Sequence, residues 1–138
     1  MTSDAKRILI IDDEADLCEI MKVKLVNQGF DVFFAHDGMS GFAKTLELKP
    51  DCILLDVRMP KSDGLSCLRN LRSYRNGDPE LQQRIRRLPI IMLTAGETMK
   101  GLFQAEGVNA YAEKPIDAEK LKECILKVMA GSIPWACP

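Results

Sequence analysis

The sequence predicts an α/β fold, a parallel sheet with helices on both faces. Three observations predict it. Short apolar runs without alternation recur along the chain, as strands buried on both faces require. Segments with apolar residues at helical spacing separate those runs. Short stretches rich in Gly, Asp and Pro join the two kinds. At 138 residues the chain is one domain by length, large enough to bury about 68–70% of its unfolded surface.

The elements follow in order. Arg7 to Ile11 is a buried strand that stops at Asp12-Asp13-Glu14. A helix comes next, with Leu17, Ile20, Met21 and Leu25 on one face, and Gly29 ends it. Asp31 to Ala35 is a second strand. His36-Asp37-Gly38 turns the chain into a helix carrying Phe42, Ala43 and Leu46, which ends before Pro50. Cys52 to Asp56 is the third strand, an apolar run closed by a carboxylate. Met59-Pro60 breaks it, and Ser62-Asp63-Gly64 turns into a helix with Leu65, Leu68 and Leu71 inward. Asp78-Pro79 then favours a helix start, and Leu81, Ile85 and Leu88 fall at helical spacing, so a short extra helix is expected over 80–87. Arg84, Arg86 and Arg87 would be its solvated side. Leu88 to Leu93 is the fourth strand, ending at Thr94-Ala95-Gly96. A weaker helix is expected over 97–106, and Val108 to Ala112 is a short fifth strand ending near Glu113-Lys114-Pro115. Asp117 caps a last helix with Leu121, Ile125, Val128 and Met129 inward.

Alternating strands and helices with short connections and right-handed crossovers favour the flavodoxin-like doubly wound sheet of five strands, in the order 2-1-3-4-5. Residues 1–131 form the domain in this reading. Residues 132–138 have no helical or strand period and read as a tail or the start of a linker. The chain is 46% hydrophobic and 28% charged, with a net charge of −1, so no bulk attraction to nucleic acid or anionic membrane is expected. No apolar stretch approaches the ~18–20 residues of a membrane span, and nothing near Met1 resembles a secretory signal. Cys18, Cys52, Cys67, Cys124 and Cys137 form no CxxC pair and fall mostly in apolar segments. They are expected to be reduced, buried thiols in a cytosolic protein.

In open α/β sheets, ligands bind beyond the carboxyl ends of the strands where strand order reverses. In the 2-1-3-4-5 order that point lies between strands 1 and 3, so Asp12, Asp13 and Asp56 meet there, with Thr94 and Lys114 ending strands 4 and 5 on the same edge. Two unit charges 4 Å apart repel by about 4 kcal/mol at an effective dielectric of 20. Such a cluster implies either protonation or a bound cation. Oxygen-only ligands at an open mouth suit Mg²⁺. A metal-bound carboxylate beside a hydroxyl and an ammonium makes a trap for a phosphoryl group, and a carboxylate can itself be the nucleophile. The expected roles are Asp56 as nucleophile, Asp13 as Mg²⁺ ligand, and Asp12 as ligand directly or through water. The Arg58 carbonyl is a further oxygen, Lys114 neutralises charge, and Thr94 donates to a phosphoryl oxygen. Asp12, Asp13 and Glu14 would also suit a helix N-terminus through its dipole. His36, the single histidine, is expected to be a surface loop residue away from this edge. Trp135 falls in the tail.

Ile11-Asp12-Asp13-Glu14, Leu55 to Pro60 with Asp63-Gly64, Leu93-Thr94-Ala95 and Glu113-Lys114-Pro115 resemble the motifs of response-regulator receiver domains, the phospho-accepting modules of two-component signalling. The resemblance runs from about Arg7 to Met129. It implies Mg²⁺-dependent transfer of a phosphoryl group to Asp56 from the phosphohistidine of a histidine kinase or histidine phosphotransfer protein. It implies self-catalysed phosphorylation and dephosphorylation without turnover of a separate substrate. Thr94 and Tyr111 match the family's switch residues, which change the partner-binding surface, and the Lys114-Pro115 peptide would be cis. Arg58 and Gly96 fall where the family tunes the lifetime of the phosphoryl group. A downstream output domain or protein is implied, and a phosphorylation-dependent dimer is possible for such a module.

Competing functions fit less well. A small-molecule phosphatase or phosphotransferase working through an aspartyl phosphate would want a second acid two residues after the nucleophile, where Arg58 stands, and a cap insertion over the site. A nucleotide or flavin binder would want a glycine-rich phosphate loop, which the sequence lacks. A receiver that signals without phosphate would not need the full acidic and lysine set.

Overall fold

The computed structural model describes residues 5–56, 63–94, 105–113, 116–131 and 135–136. Five strands form the expected sheet: β1 (Arg7–Ile11), β2 (Asp31–Ala35), β3 (Cys52–Asp56), β4 (Ile90–Thr94) and β5 (Ala110–Glu113). They lie parallel in the order β2-β1-β3-β4-β5. A two-residue strand, β6 (Trp135–Ala136), extends the sheet beyond β5 and pairs with Ala110 and Tyr111. The sequence shows no period over its last residues, because a two-residue strand is too short to carry one.

Helices α1 (Ala15–Asn27), α2 (Gly38–Leu48), α3 (Asp63–Arg72), α4 (Pro79–Arg86) and α5 (Ala118–Met129) are the five among the described residues. β1, β3 and β4 are central strands, and Ile8 to Ile11, Cys52 to Leu55 and Ile90 to Leu93 are fully buried or nearly so. Their alternate residues feed two cores. Ile8, Ile10 and Leu54 join Cys18, Met21, Leu25 and Leu121 on the α1 and α5 face. Leu9, Ile11, Ile53 and Leu55 join Leu68, Leu71 and Ile85 on the opposite face, served by α2, α3 and α4.

The extra helix is present as α4. Asp78 caps it by accepting from the Leu81 amide at 2.8 Å, with Pro79 at its start, and Ile85 and Leu88 are buried. Its arginines are not simply a solvated face. Arg84 donates to the Lys49 carbonyl and Arg86 to the Tyr74 carbonyl, so they tie the insertion to its neighbours. On α1, Ile20 is 53% exposed and Cys18 takes the inward position instead. On α2, Gly41 and Thr45 are buried, Phe42 and Leu46 are only partly so, and Ala43 faces outward.

Gly41 is where α2 comes closest to the sheet. A Cβ there would stand 2.6 Å from Ile11 Cδ1, and Ile11 is fully buried. Gly41→Ala is therefore expected to lose stability on balance. Overpacking costs about 1–3 kcal/mol, against about 1 kcal/mol gained in helix propensity. Urea unfolding checks this, and a higher midpoint for the alanine variant would contradict it.

Cys18, Cys52 and Cys67 are buried and lie outside any disulfide. Burial in low dielectric pushes the Cys52 thiol well above its usual range, so it is inert. Cys124, also buried, is disulfide-bonded, which corrects the expectation that every thiol is reduced. An apolar setting suits a free thiol and a half-cystine alike.

Candidate functional site

Ile11 lies opposite Leu55 in the β1–β3 register. The residues that follow each, Asp12 and Asp56, therefore leave the sheet side by side at its carboxyl edge. Both are buried, at 0% and 1% exposure, and the adjoining Asp13 and Glu14 are exposed. One carboxylate oxygen from each of Asp12, Asp13, Glu14 and Asp56 lies within 4.8 Å of the others.

The acidic loop is held in place by hydrogen bonds. The Asp12 amide donates to the Ala35 carbonyl at 3.0 Å. Asp12 Oδ1 accepts from the Glu14 amide at 3.0 Å, just ahead of α1. His36 Nδ1 lies 3.1 Å from the Asp12 carbonyl oxygen, which also accepts from Cys18 Sγ at 3.7 Å. His36 is exposed, yet it touches the backbone of the acidic loop, which corrects the expectation that it lies away from this edge. The sequence offers no signal for that contact, since it depends on β2 lying beside β1. Glu14 is the other residue whose place in the cluster sequence reasoning did not assign. The unbroken run Asp12-Asp13-Glu14 was the available signal.

The donor set fits Mg²⁺. All four groups offer hard oxygens, two from within the protein and two from its surface, which leaves room for the water ligands that this ion keeps. Like charges crowded this closely are costly unless a cation or protons share the site.

Thr94 ends β4, one residue beyond Leu93, the register partner of Asp56. That sets its backbone at the same edge. Tyr111 is half-buried on β5, packed against the second core and in register with Met92 and Ala136. Arg58, Lys114, the Lys114-Pro115 peptide, Gly96 and nearly all of the helix expected over 97–106 lie outside the described residues.

The family described as the response regulator receiver domain matches residues 8–126. The chain belongs to that family. The receiver is 36% identical over 118 residues to the DNA-binding dual master transcriptional regulator RpaA of Synechocystis sp., covering 83% of this chain. It spans only 45% of that relative's length. Its fold matches the chemotaxis protein CheY4 of Vibrio cholerae with a TM-score of 0.76 at 25% identity, covering 90% of this chain and 98% of that one. It also matches the receiver domain of the sensor histidine kinase PA1611 of Pseudomonas aeruginosa, with a TM-score of 0.78 at 26% identity, covering 91% and 98%. That structure holds a magnesium ion coordinated in its active-site cleft. The receiver's acidic edge and the 2-1-3-4-5 strand order are what membership of this family entails.

Proposed function

We propose that Asp56 is the phosphoryl acceptor of this receiver, fed by the phosphohistidine of a histidine kinase or histidine phosphotransfer protein. The supporting observation is the pair of buried carboxylates, Asp12 and Asp56, with Asp13 and Glu14 within 4.8 Å. In this reading Asp12, Asp13 and Asp56 hold Mg²⁺, with the Arg58 carbonyl as a further oxygen. Bound there, the ion neutralises charge on the phosphoryl oxygens. An Asp56 carboxylate oxygen forms the new O–P bond while the donor's N–P bond breaks. The departing imidazole keeps that electron pair and takes up a proton. Thr94, at the end of β4, donates its hydroxyl to a phosphoryl oxygen, and Lys114 offsets the negative charge. The transfer depends on position and charge more than on covalent help from other groups.

Phosphorylation adds about −1.5 to −2 charge, and Thr94 and Tyr111 carry that change to the surface that partners bind. α1 supports the donor assignment. It starts directly after the acidic loop and exposes Ile20 and Val23 at 53% and 59%. Leu17, Ile20 and Met21 form a groove with Ile116 and Leu121, a shape that suits a helical partner.

Residues 1–131 act as the receiver unit, with Trp135 and Ala136 added to its sheet as β6, and the output belongs to another domain or protein. The phosphorylated form is the one that would dimerise. No direct contact with nucleic acid or membrane is assigned to this chain. No helix among the described residues is long and apolar enough to cross a membrane. A cytoplasmic setting suits the buried Cys18, Cys52 and Cys67, which lie outside any disulfide.

Acetyl phosphate with Mg²⁺ tests the reading. Wild type is expected to take up an acid-stable, base-labile label, and a chelator is expected to reduce the label to background. Equal labelling with and without the chelator would overturn the metal assignment.

A further inference from the structure

His36 is unused by the proposed chemistry, yet it touches the loop that carries the metal ligands. The Asp12–Ala35 link and the His36–Asp12 link run in opposite directions between the ends of β1 and β2. The first is the Asp12 amide donating to the Ala35 carbonyl at 3.0 Å. The second is His36 Nδ1 at 3.1 Å from the Asp12 carbonyl oxygen. A carbonyl only accepts, so Nδ1 must carry the proton. The Asp12 backbone is thereby held at both its N–H and its C=O. Its carboxylate leads the acidic cluster, and Asp13 follows directly.

We propose that His36 is a positioning residue for the acidic loop, holding the Asp12 peptide so that the carboxylates of Asp12 and Asp13 face a divalent cation together with Asp56. The inference rests on the acidic edge being the Mg²⁺ site. His36 does not touch the ion; it acts through the Asp12 backbone. Groups that orient metal ligands commonly change affinity by about 10–100-fold when removed. Here the link reaches a ligand's backbone rather than its carboxylate, so the lower end of that range is expected.

Two substitutions of similar size separate the hydrogen bond from the bulk of the side chain. In His36→Asn the amide nitrogen sits one bond from Cγ, as Nδ1 does, and can donate to the same carbonyl. His36→Leu places a methyl group there. His36 is exposed, and its ring contact with Phe34, at 6.1 Å between centroids, is lost alike in both variants. The probe is Mg²⁺ alone, titrated while the amide resonances of Asp13 and Glu14 are followed. His36→Leu is expected to bind about tenfold more weakly, and His36→Asn within about threefold of wild type. In the metal-free wild type, ¹⁵N shifts of the His36 ring are expected to show the proton on Nδ1. Leucine and asparagine variants that both bind like wild type, or that weaken equally, would overturn the proposal. So would a ring protonated only on Nε2. Failure of wild type to bind Mg²⁺ would sink the metal-site reading and this inference with it. Wild-type binding that ignores His36→Leu would sink the inference alone.

Discussion

In metal-free buffer, Asp56→Asn is expected to be more stable than wild type by about 1–3 kcal/mol, although it removes the proposed reactive group. The reason is the company that Asp56 keeps. Its carboxylate is buried and lies within 4.8 Å of those of Asp12, Asp13 and Glu14. One such pair at 4 Å repels by about 4 kcal/mol at an effective dielectric of 20. Water around the exposed Asp13 and Glu14 screens their share, and the Lys114 ammonium proposed for this site offsets part of the rest, which brings the net effect down to the stated range. The amide has the same shape and no charge, so the packing is kept. Mg²⁺ should reverse the order. A ligand at about 100 times its Kd stabilises the native state by about 2.7 kcal/mol, and the variant lacks one of the proposed ligands. Urea midpoints in chelator and in Mg²⁺ check both halves. A wild type more stable than the variant in chelator would show that the cluster carries no net repulsion.

Arg72→Met is expected to cost about 2–4 kcal/mol, the largest loss from any single polar side chain described here. All five guanidinium hydrogens find acceptors. Nε and Nη2 donate to the Gly107 carbonyl at 3.0 and 2.8 Å. Nη1 donates to the Arg86 and Leu88 carbonyls at 2.9 and 2.7 Å. Nη2 also reaches Asn109 Oδ1 at 3.0 Å, and that oxygen accepts from the Ile90 amide at 2.8 Å. One side chain at the end of α3 therefore joins the end of α4, the approach to β4 and the approach to β5. Burial pulls the guanidinium down to about 10, which leaves it charged at neutral pH. Arg72→Lys should recover less than half of the loss, because an ammonium is a point donor and cannot match a planar fork. Chemical denaturation checks this. A methionine variant within about 0.5 kcal/mol of wild type, the range of ordinary surface changes, would contradict the assignment.

The strand order and the acidic edge were legible because the signals behind them are local. Unbroken apolar runs such as Ile53-Leu54-Leu55 and their closing carboxylates sit in consecutive residues, and α4 announced itself through Asp78-Pro79. What escaped depends on which elements become neighbours. Ile20 has helical spacing but faces away from the sheet, because Cys18 and Met21 already fill the inward positions. Arg84 and Arg86 look like solvated charges until their carbonyl partners on other segments are known. The His36 link follows from β2 lying beside β1, and nothing around His36 in the sequence points to Asp12. β6 is too short for any periodicity.

Locating the phosphoryl group tests the central claim most directly. Wild type is labelled with acetyl phosphate and Mg²⁺, digested, and sequenced by tandem mass spectrometry. The modification is expected on Asp56, with Asp56→Asn unlabelled under the same conditions. A phosphoryl group on any other residue of wild type, or equal labelling of Asp56→Asn, would contradict the account.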